Sequence, residues 1–398
     1  NMEQLHALHK RYLDNREKRK KTLQEVRNDL MPYQGKIVLY GAGSAGIAFY
    51  NYLKDAGIDI NCFSDGDTEK QGTYCEGKAI IAPEKITDIV GNDALVIVTI
   101  NTDGTSYCKD FKEALLKNGH QGLHARLRDM GCVNLIDYTY FRQCYELFTG
   151  DLYNLPSCSD VLLMENNWNK IEQVYRMLDD DISRDTFLKI VEFRMVDDSV
   201  DIPTFPEKDM YFEYQLFPKK ENEIFVDCGA CTGSSLKDFL RIHGNKFEKC
   251  ISLEPDRKNY KGLCRYIENL DANIQSKIRI YNSGVYDLDG EINFFELNGP
   301  GTFASVMGKN PLRVSRIDTV LQGSRASYIK LNIEGSEVAA LEGARKTIEQ
   351  YQPRLAIMGY HKTSDLWNVP LKIKELNQNY KLFLRSYMHN IAFAYYAC

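Results

Sequence analysis

Two glycine-rich turns constrain this chain more than any other feature. Gly41-Ala42-Gly43-Ser44-Ala45-Gly46 and Asp227-Cys228-Gly229-Ala230-Cys231-Thr232-Gly233 each follow directly on an apolar run of strand length, and each opens a helical pattern. A strand that turns on glycine into a helix is how a parallel βαβ unit begins, because parallel neighbours need a crossover between them. Two such openings set far apart call for two sheets. The length agrees: 398 residues exceed one ordinary core, and about 100–200 residues per domain gives two or three.

From Lys36 the chain alternates strand and helix. The pattern runs KIVLY (36–40), a helix from Ser44 to Ala56, a strand ending near Phe63, ALVIVT (94–99), a helix over 105–118 and VNLIDY (133–138). It predicts a Rossmann-like α/β domain over 36–138. Residues 1–35 form an N-terminal helix on the spacing of Leu5, Leu8, Tyr12, Leu23, Val26 and Leu30, closed by Pro32. Asn1, ahead of Met2, reads as a residue left by a tag. The basic run Lys18-Arg19-Lys20-Lys21 is a solvated helix face or, alternatively, a polyanion site. Residues 139–220 show helical periodicity (Ile171, Val174, Tyr175, Leu178) without a strand, as a helical connector would.

At Glu223 the alternation restarts and fills a second α/β domain, 221–398. Strands are expected at 224–228, 250–254, 278–282, 327–332, 354–360, 380–386 and 391–397, with helices near 234–243, 256–269, 336–350 and 368–377. The last two strands lie too close for a crossover helix, so they pair antiparallel.

Composition excludes several classes. Fifty Lys and Arg against 55 Asp and Glu leave a net charge of −5, which gives no electrostatic footprint for nucleic acid. Eleven scattered cysteines lack the framework spacing of a small secreted domain and suit a reducing cytoplasm. The first residues are polar, and the longest apolar runs are strand-length, so neither a secretory signal nor a membrane span is expected. The sequence does not reveal an oligomeric state.

In the first glycine loop, Gly41 permits the turn, Gly43 lets a phosphate or ribose approach the backbone beside Ser44, and Gly46 lets the helix sit on the strand. Asp65 closes the next strand where a ribose diol would be expected. The loop resembles the nucleotide-binding-like domains found beside sugar-modifying enzymes. Two readings stand: a site for a nucleotide or nucleotide-sugar, or a domain kept for structure or docking. A nicotinamide-dependent enzyme is a third, without a visible hydride partner.

The second loop has an acid at the strand end and no phosphate-binding lysine. It suits a ligand with an adenosine and an amino acid, of which S-adenosylmethionine is one. Asp227, Gly229, Ala230 and Gly233 form the loop. Glu254 and Asp256, in Leu253-Glu254-Pro255-Asp256, close the next strand with a carboxylate for ribose hydroxyls. Ser283 and Gly284 follow the third strand. Together with Ile317-Asp318-Thr319-Val320, Ile329-Lys330-Leu331-Asn332-Ile333-Glu334-Gly335-Ser336-Glu337 and Leu341-Glu342-Gly343-Ala344, this series resembles the FkbM family of S-adenosylmethionine-dependent methyltransferases over 221–398. The resemblance implies a class I methyltransferase sheet with an antiparallel last strand. It also implies S-adenosyl-L-methionine as cofactor, and O-methylation of a small-molecule or glycan acceptor such as a sugar, nucleotide-sugar or polysaccharide intermediate.

Methyl transfer to a hydroxyl requires alignment and removal of a proton. His361, past the fifth strand, and Glu334 and Glu337 are the candidate proton acceptors, with His361 expected to face the same crevice and Lys330 as an electrostatic helper. Glu334 has an alternative role as a cap on the following helix. Asn332 stands where the family usually has Asp, and an amide cannot act as a general base. A catalytically altered binding or scaffold protein that retains both folds is therefore the alternative reading. Residues 298–302 form either a closing loop or a hairpin tip. No metal site is expected: Cys228-x-x-Cys231 lies inside the glycine turn, and His120 and His124 read as loop histidines because of Gly119 and Gly122.

Overall fold

A computed structural model describes residues 2–100, 110–117, 122–144, 146–147, 161–196, 200–213, 215–295, 303–304, 310–387 and 392–398. It is a mixed α/β structure of two compact units, one of residues 3–167 and 191–200, the other of 1–2, 168–190 and 201–398. The stretch 139–220 is thus divided between the units. Among the described residues no helix is long and apolar enough to cross a membrane.

In the first unit, strands Ile37–Tyr40, Cys62–Ser64, Leu95–Val98 and Asn134–Asp137 run parallel, with Ile37–Tyr40 between Cys62–Ser64 and Leu95–Val98. Every residue of Ile37–Tyr40 and Leu95–Val98 is buried, as expected where both faces of a parallel sheet are covered. A hairpin of Tyr74–Cys75 and Lys78–Ile81 extends the edge beside Cys62–Ser64. Its strands are two and four residues long, too short to show a period in sequence. The N-terminal segment is two helices rather than one, Met2–Arg19 and Leu23–Leu30. Thr22 caps the second, with Glu25 completing a capping box, so the basic run sits at a helix break.

His124 departs from expectation. Gly122, at φ +62°, begins helix Gly122–Asp129, and burial of Leu127 carries His124 inward, 3.3 Å from the Asp137 carboxylate. The helix exists because apolar burial outweighs the low propensity of its first glycine. His120 and residues 298–302 lie outside the described residues, as does the part of the expected connector from 148 to 160.

In the second unit a seven-stranded sheet has the order Leu382–Tyr387, Ala392–Ala397, Arg354–Met358, Tyr328–Leu331, Ile224–Cys228, Lys249–Leu253 and Ile278–Tyr281. Ala392–Ala397 is antiparallel to both of its neighbours and the other pairings are parallel. The last strand inserts between the fifth and sixth, which spacing along the chain does not reveal. Helix Ser234–His243 buries Leu236 and Phe239, and Phe239 stacks on Phe225 at 4.7 Å between ring centroids. Each such buried aromatic side chain contributes about 1.5–3 kcal/mol.

The expected helix 336–350 is two, Glu337–Gly343 and Arg345–Tyr351, and the expected 368–377 begins earlier, at Asp365. Pro370 lies inside this last helix. It cannot donate to the Leu366 carbonyl, and the Tyr395 hydroxyl does so instead at 2.6 Å. A second, small sheet of Gly284–Val285, Gly290–Phe295, Phe303–Ala304 and Asn310–Ser315 is formed from the chain between Ile278–Tyr281 and Tyr328–Leu331.

A Cβ on Gly46 would stand 1.9 Å from the Gly41 carbonyl oxygen. Gly46→Ala is therefore expected to destabilise the first unit by more than the roughly 1 kcal/mol that Ala gains over Gly in a helix. Gly43→Ala, with no atom within 4 Å of its Cβ, is expected to cost about 1 kcal/mol or less. Urea unfolding of the two variants checks the contrast.

Candidate functional site

The order of the large sheet reverses between Ile224–Cys228 and Tyr328–Leu331, the switch point at which ligands enter open α/β sheets. A cavity of about 500 Å³ opens there, walled by Gly229 and Cys231, by Glu254 and Asp256, by Gly284 and Val285, by Lys330, Asn332, Ile333 and Glu334, and by Tyr211. That volume lies in the range of small-ligand sites.

Gly229 makes the turn. Its φ is +76°, and a Cβ there would lie 1.9 Å from the Asn332 carbonyl oxygen, so the two strand ends meet through glycine. Beneath the turn Asp227 is fully buried, 3.0 Å from the Lys330 ammonium, and its other oxygen accepts the Ser235 hydroxyl at 2.6 Å. Lys330 also donates to the carbonyls of Cys228 (3.1 Å) and Gly229 (2.8 Å). Burial alone would push the lysine pKa down; Asp227 and Tyr211 outweigh it and hold the group above its ordinary value. Asp227 thus lies under the cavity floor. Lys330 borders the cavity, with its charge spent on Asp227 and on the turn.

Glu254 faces the cavity. Its carboxylate accepts the Cys231 N–H at 2.7 Å and the Asp256 N–H at 2.9 Å, one on each oxygen. Each oxygen keeps a second lone pair for a ligand hydroxyl. Burial holds its pKa above the ordinary value against those two N–H donors. Asp256 borders the cavity as the cap of helix Arg257–Glu268, with one oxygen on the Asn259 N–H at 2.7 Å. Gly284 lines the wall. Ser283 is turned away, hydrogen-bonded to the Gly284 carbonyl (3.0 Å) and the Ser315 hydroxyl (3.0 Å). Ala230 is buried, and its N–H reaches the Leu253 carbonyl at 3.1 Å; Gly233, at φ +101°, caps helix Ser234–His243.

Asn332 donates through Nδ2 to the Tyr211 hydroxyl at 2.8 Å, and its Oδ1 is buried without a hydrogen-bond partner among the described residues. Sequence reasoning missed Tyr211, because it belongs to no motif and sits in irregular chain before the first strand. Tertiary contacts place it at φ +73°. Its N–H donates to the Tyr396 hydroxyl at 3.0 Å, the Tyr328 hydroxyl donates to its carbonyl, and Lys330 Nζ lies 5.0 Å from its ring centroid.

Glu334 lines the cavity with a side chain 22% exposed. The N-cap position of the following helix is Ser336, and Glu337, its first residue, takes the Ile333 N–H at 2.9 Å. His361, expected to face the crevice, is fully buried behind its wall, with Nδ1 2.9 Å from Glu337 Oε1 and Nε2 3.5 Å from Glu334 Oε2. Burial pushes the imidazole pKa down, and the two glutamates outweigh it, raising it to about 9. The imidazole does not border the cavity, so it is not placed to take a proton directly from a ligand there. Glu337, His361 and Asp365 offer three donor atoms within 4.8 Å of one another, the group of that kind among the described residues.

In the other unit, the first glycine loop uses its own acid. Asp65 accepts the N–H groups of Ala42 and Asp67, each at 2.9 Å, and pairs with Lys70 at 3.0 Å. The carboxylate expected at a ribose diol therefore ties loop to strand. Gly41 adopts φ +111° and donates its N–H to the Ser64 carbonyl at 2.8 Å, while Gly43 begins the helix in open space. The Ser44 side chain lies outside what is described.

Residues 227–395 match the methyltransferase FkbM domain. Residues 33–120 match a second family, described as C2185-like, N-terminal. Among solved structures, the chain is similar to an FkbM methyltransferase from Methylobacillus flagellatus KT. That match has 21% identity and a TM-score of 0.66, and covers 98% of this chain and 99% of that one. Weaker likenesses reach a putative rRNA-methylase from Clostridium thermocellum (9% identity, TM-score 0.33, 46% of this chain and 90% of that one) and a precorrin-6y C5,15-methyltransferase from Geobacter metallireducens GS-15 (8%, 0.32, 49% and 93%). No curated protein matches the chain.

Asp227→Asn would leave the Lys330 ammonium buried without its counter-charge. It is expected to destabilise the second unit by about 3–5 kcal/mol, read from the urea midpoint. Adding Lys330→Met is expected to recover part of that loss, because the second change removes the stranded charge.

Proposed function

We propose that this chain, which carries an FkbM methyltransferase domain at 227–395, is an S-adenosylmethionine-dependent methyltransferase whose donor occupies the cavity at the switch point. The observation that carries the reading is Glu254: a buried carboxylate at the strand end beside the glycine turn, already oriented by two backbone N–H donors and with lone pairs turned to a cavity of ligand size. The residues present fit such a donor. Glu254 would take the ribose hydroxyls, the Gly229–Cys231 turn would meet the amino-acid end, and Gly284 and Val285 would flank the base. The buried Oδ1 of Asn332, without a partner among the described residues, is open to a donor hydrogen from a ligand. When bound, the donor supplies an electrophilic methyl group on a sulfonium, and the chain's own work is alignment, exclusion of water and removal of a proton from the acceptor.

The acceptor we propose is a hydroxyl of a sugar, nucleotide-sugar or polysaccharide intermediate. The resemblance of the motif series supports it, and so does a first unit built on a nucleotide-type glycine loop, the second place where a nucleotide-sugar would dock. Asn332 at the cavity end, hydrogen-bonded to Tyr211, leaves proton acceptance to another group, and Glu334 is the carboxylate on the same wall.

Calorimetry with S-adenosylhomocysteine checks the donor site. Wild type is expected to bind, and Glu254→Ala to bind about 10–100-fold more weakly, the worth of hydrogen bonds to a charged group. No detectable binding by wild type would overturn the reading.

A further inference from the structure

Three side chains from two separate segments of the chain meet at the cavity wall. Glu334 and Glu337 come from the segment after Tyr328–Leu331, and His361 from the end of Arg354–Met358. Glu334 adopts φ +58°, a left-handed conformation that is disfavoured for a non-glycine residue and persists only where surroundings impose it. That turn sends its carboxylate to the cavity side while Glu337, three residues on, points inward and is fully buried. The imidazole lies between them. Its Nδ1 is 2.9 Å from Glu337 and its Nε2 is 3.5 Å from Glu334. Glu337 is anchored in turn by the Ile333 N–H at 2.9 Å, and Tyr360 lies against the imidazole at 4.2 Å between ring centroids.

We propose that His361 is a positioning residue rather than the base: backed by Glu337, its imidazole fixes the Glu334 carboxylate at the cavity wall, and Glu334 receives the proton of the acceptor hydroxyl. This rests on the methyltransferase reading above. As the acceptor's O–H bond breaks, its proton bonds to a Glu334 oxygen and its electron pair forms the bond from oxygen to the transferred methyl carbon; the pair of the broken carbon–sulfur bond stays on the donor's sulfur. His361 neither gives up nor takes up a proton in this step. The groups facing it are Glu334 and Glu337, then Asp365, whose own carboxyl accepts the Lys362 N–H at 2.9 Å and is pushed up to about 7 by burial and by Glu337.

The test uses the full chain labelled with ring-¹³C histidine, titrated by NMR with and without S-adenosylhomocysteine, the His361 signal being assigned by its loss in His361→Gln. The signal is expected to titrate near 9 and to fall by about one unit or more in Glu337→Gln. Linkage supplies a second readout. The folded value lies above the ordinary 6.5, so the contribution to stability is complete below about 6.5 and is lost as pH rises through about 9. The wild-type denaturation midpoint is expected to drop across that window relative to His361→Gln. With a labelled methyl donor and a panel of sugar nucleotides, Glu334→Gln is expected to lower kcat about 100-fold or more with S-adenosylhomocysteine affinity kept. Glu337→Gln is expected to lower kcat less, and Glu337→Asp to restore part of it.

A His361 signal titrating near 6.5 in a protein that binds S-adenosylhomocysteine overturns the inference and leaves the donor site standing. So does full transfer by Glu334→Gln, or about one equivalent of a divalent metal in the purified protein whose chelation shifts the His361 signal. Absence of donor binding in wild type overturns the methyltransferase reading itself.

Discussion

The ion pair of Asp227 with Lys330, buried under the Gly229 turn, is the interaction on which the site depends. It joins the ends of the two strands where the sheet order reverses, and the same ammonium holds the carbonyls of Cys228 and Gly229. A buried pair of this kind is worth little as net stability, since desolvation offsets most of the attraction. Its effect is geometric: with the carbonyls of Cys228 and Gly229 held by Lys330 and the N–H groups of Gly229, Ala230 and Cys231 also hydrogen-bonded, the turn is fixed, and Glu254 and Asn332 take set places around the cavity.

The cavity is built in layers from that point. Glu254 aligns through the N–H groups of Cys231 and Asp256, themselves products of the turn and of the helix cap. Tyr211 closes the other side, held by hydroxyls of Tyr328 and Tyr396 that reach up from the sheet. These tyrosines are buried partners, and each hydroxyl satisfies backbone that a loop would otherwise leave unpaired. His361 and Glu337 form a further layer behind Glu334. Behind the wall Asp227 pairs with Lys330 and Glu337 with His361, while Glu254 and Glu334 border the cavity.

Much of this was legible in sequence because the signals are local. A fully buried parallel strand is a continuous apolar run, and a glycine turn at its end has a fixed position, so the strand ends carrying Asp227, Glu254, Asn332 and His361 could be located without coordinates. Burial could not. Asp227, Ser283 and His361 stand at strand ends as expected, yet their side chains turn into the protein. Orientation at such a position depends on one or two backbone angles, as the φ of +58° at Glu334 shows. The short hairpin at Tyr74–Ile81, the helix that buries His124 and the place of Tyr211 depend likewise on contacts distant in the chain.

Sequence alone determined two α/β units, their glycine turns and the set of strand ends from which a site could be drawn, because periodicity and turn chemistry are properties of neighbouring residues. Tertiary structure decided which of those residues face the cavity and which support it from behind. It inserted the last strand between its predecessors, turned Asp65 onto its own loop, and placed His361 between two carboxylates. Such choices follow from burial and charge compensation among residues far apart in the chain, which short-range patterns do not encode.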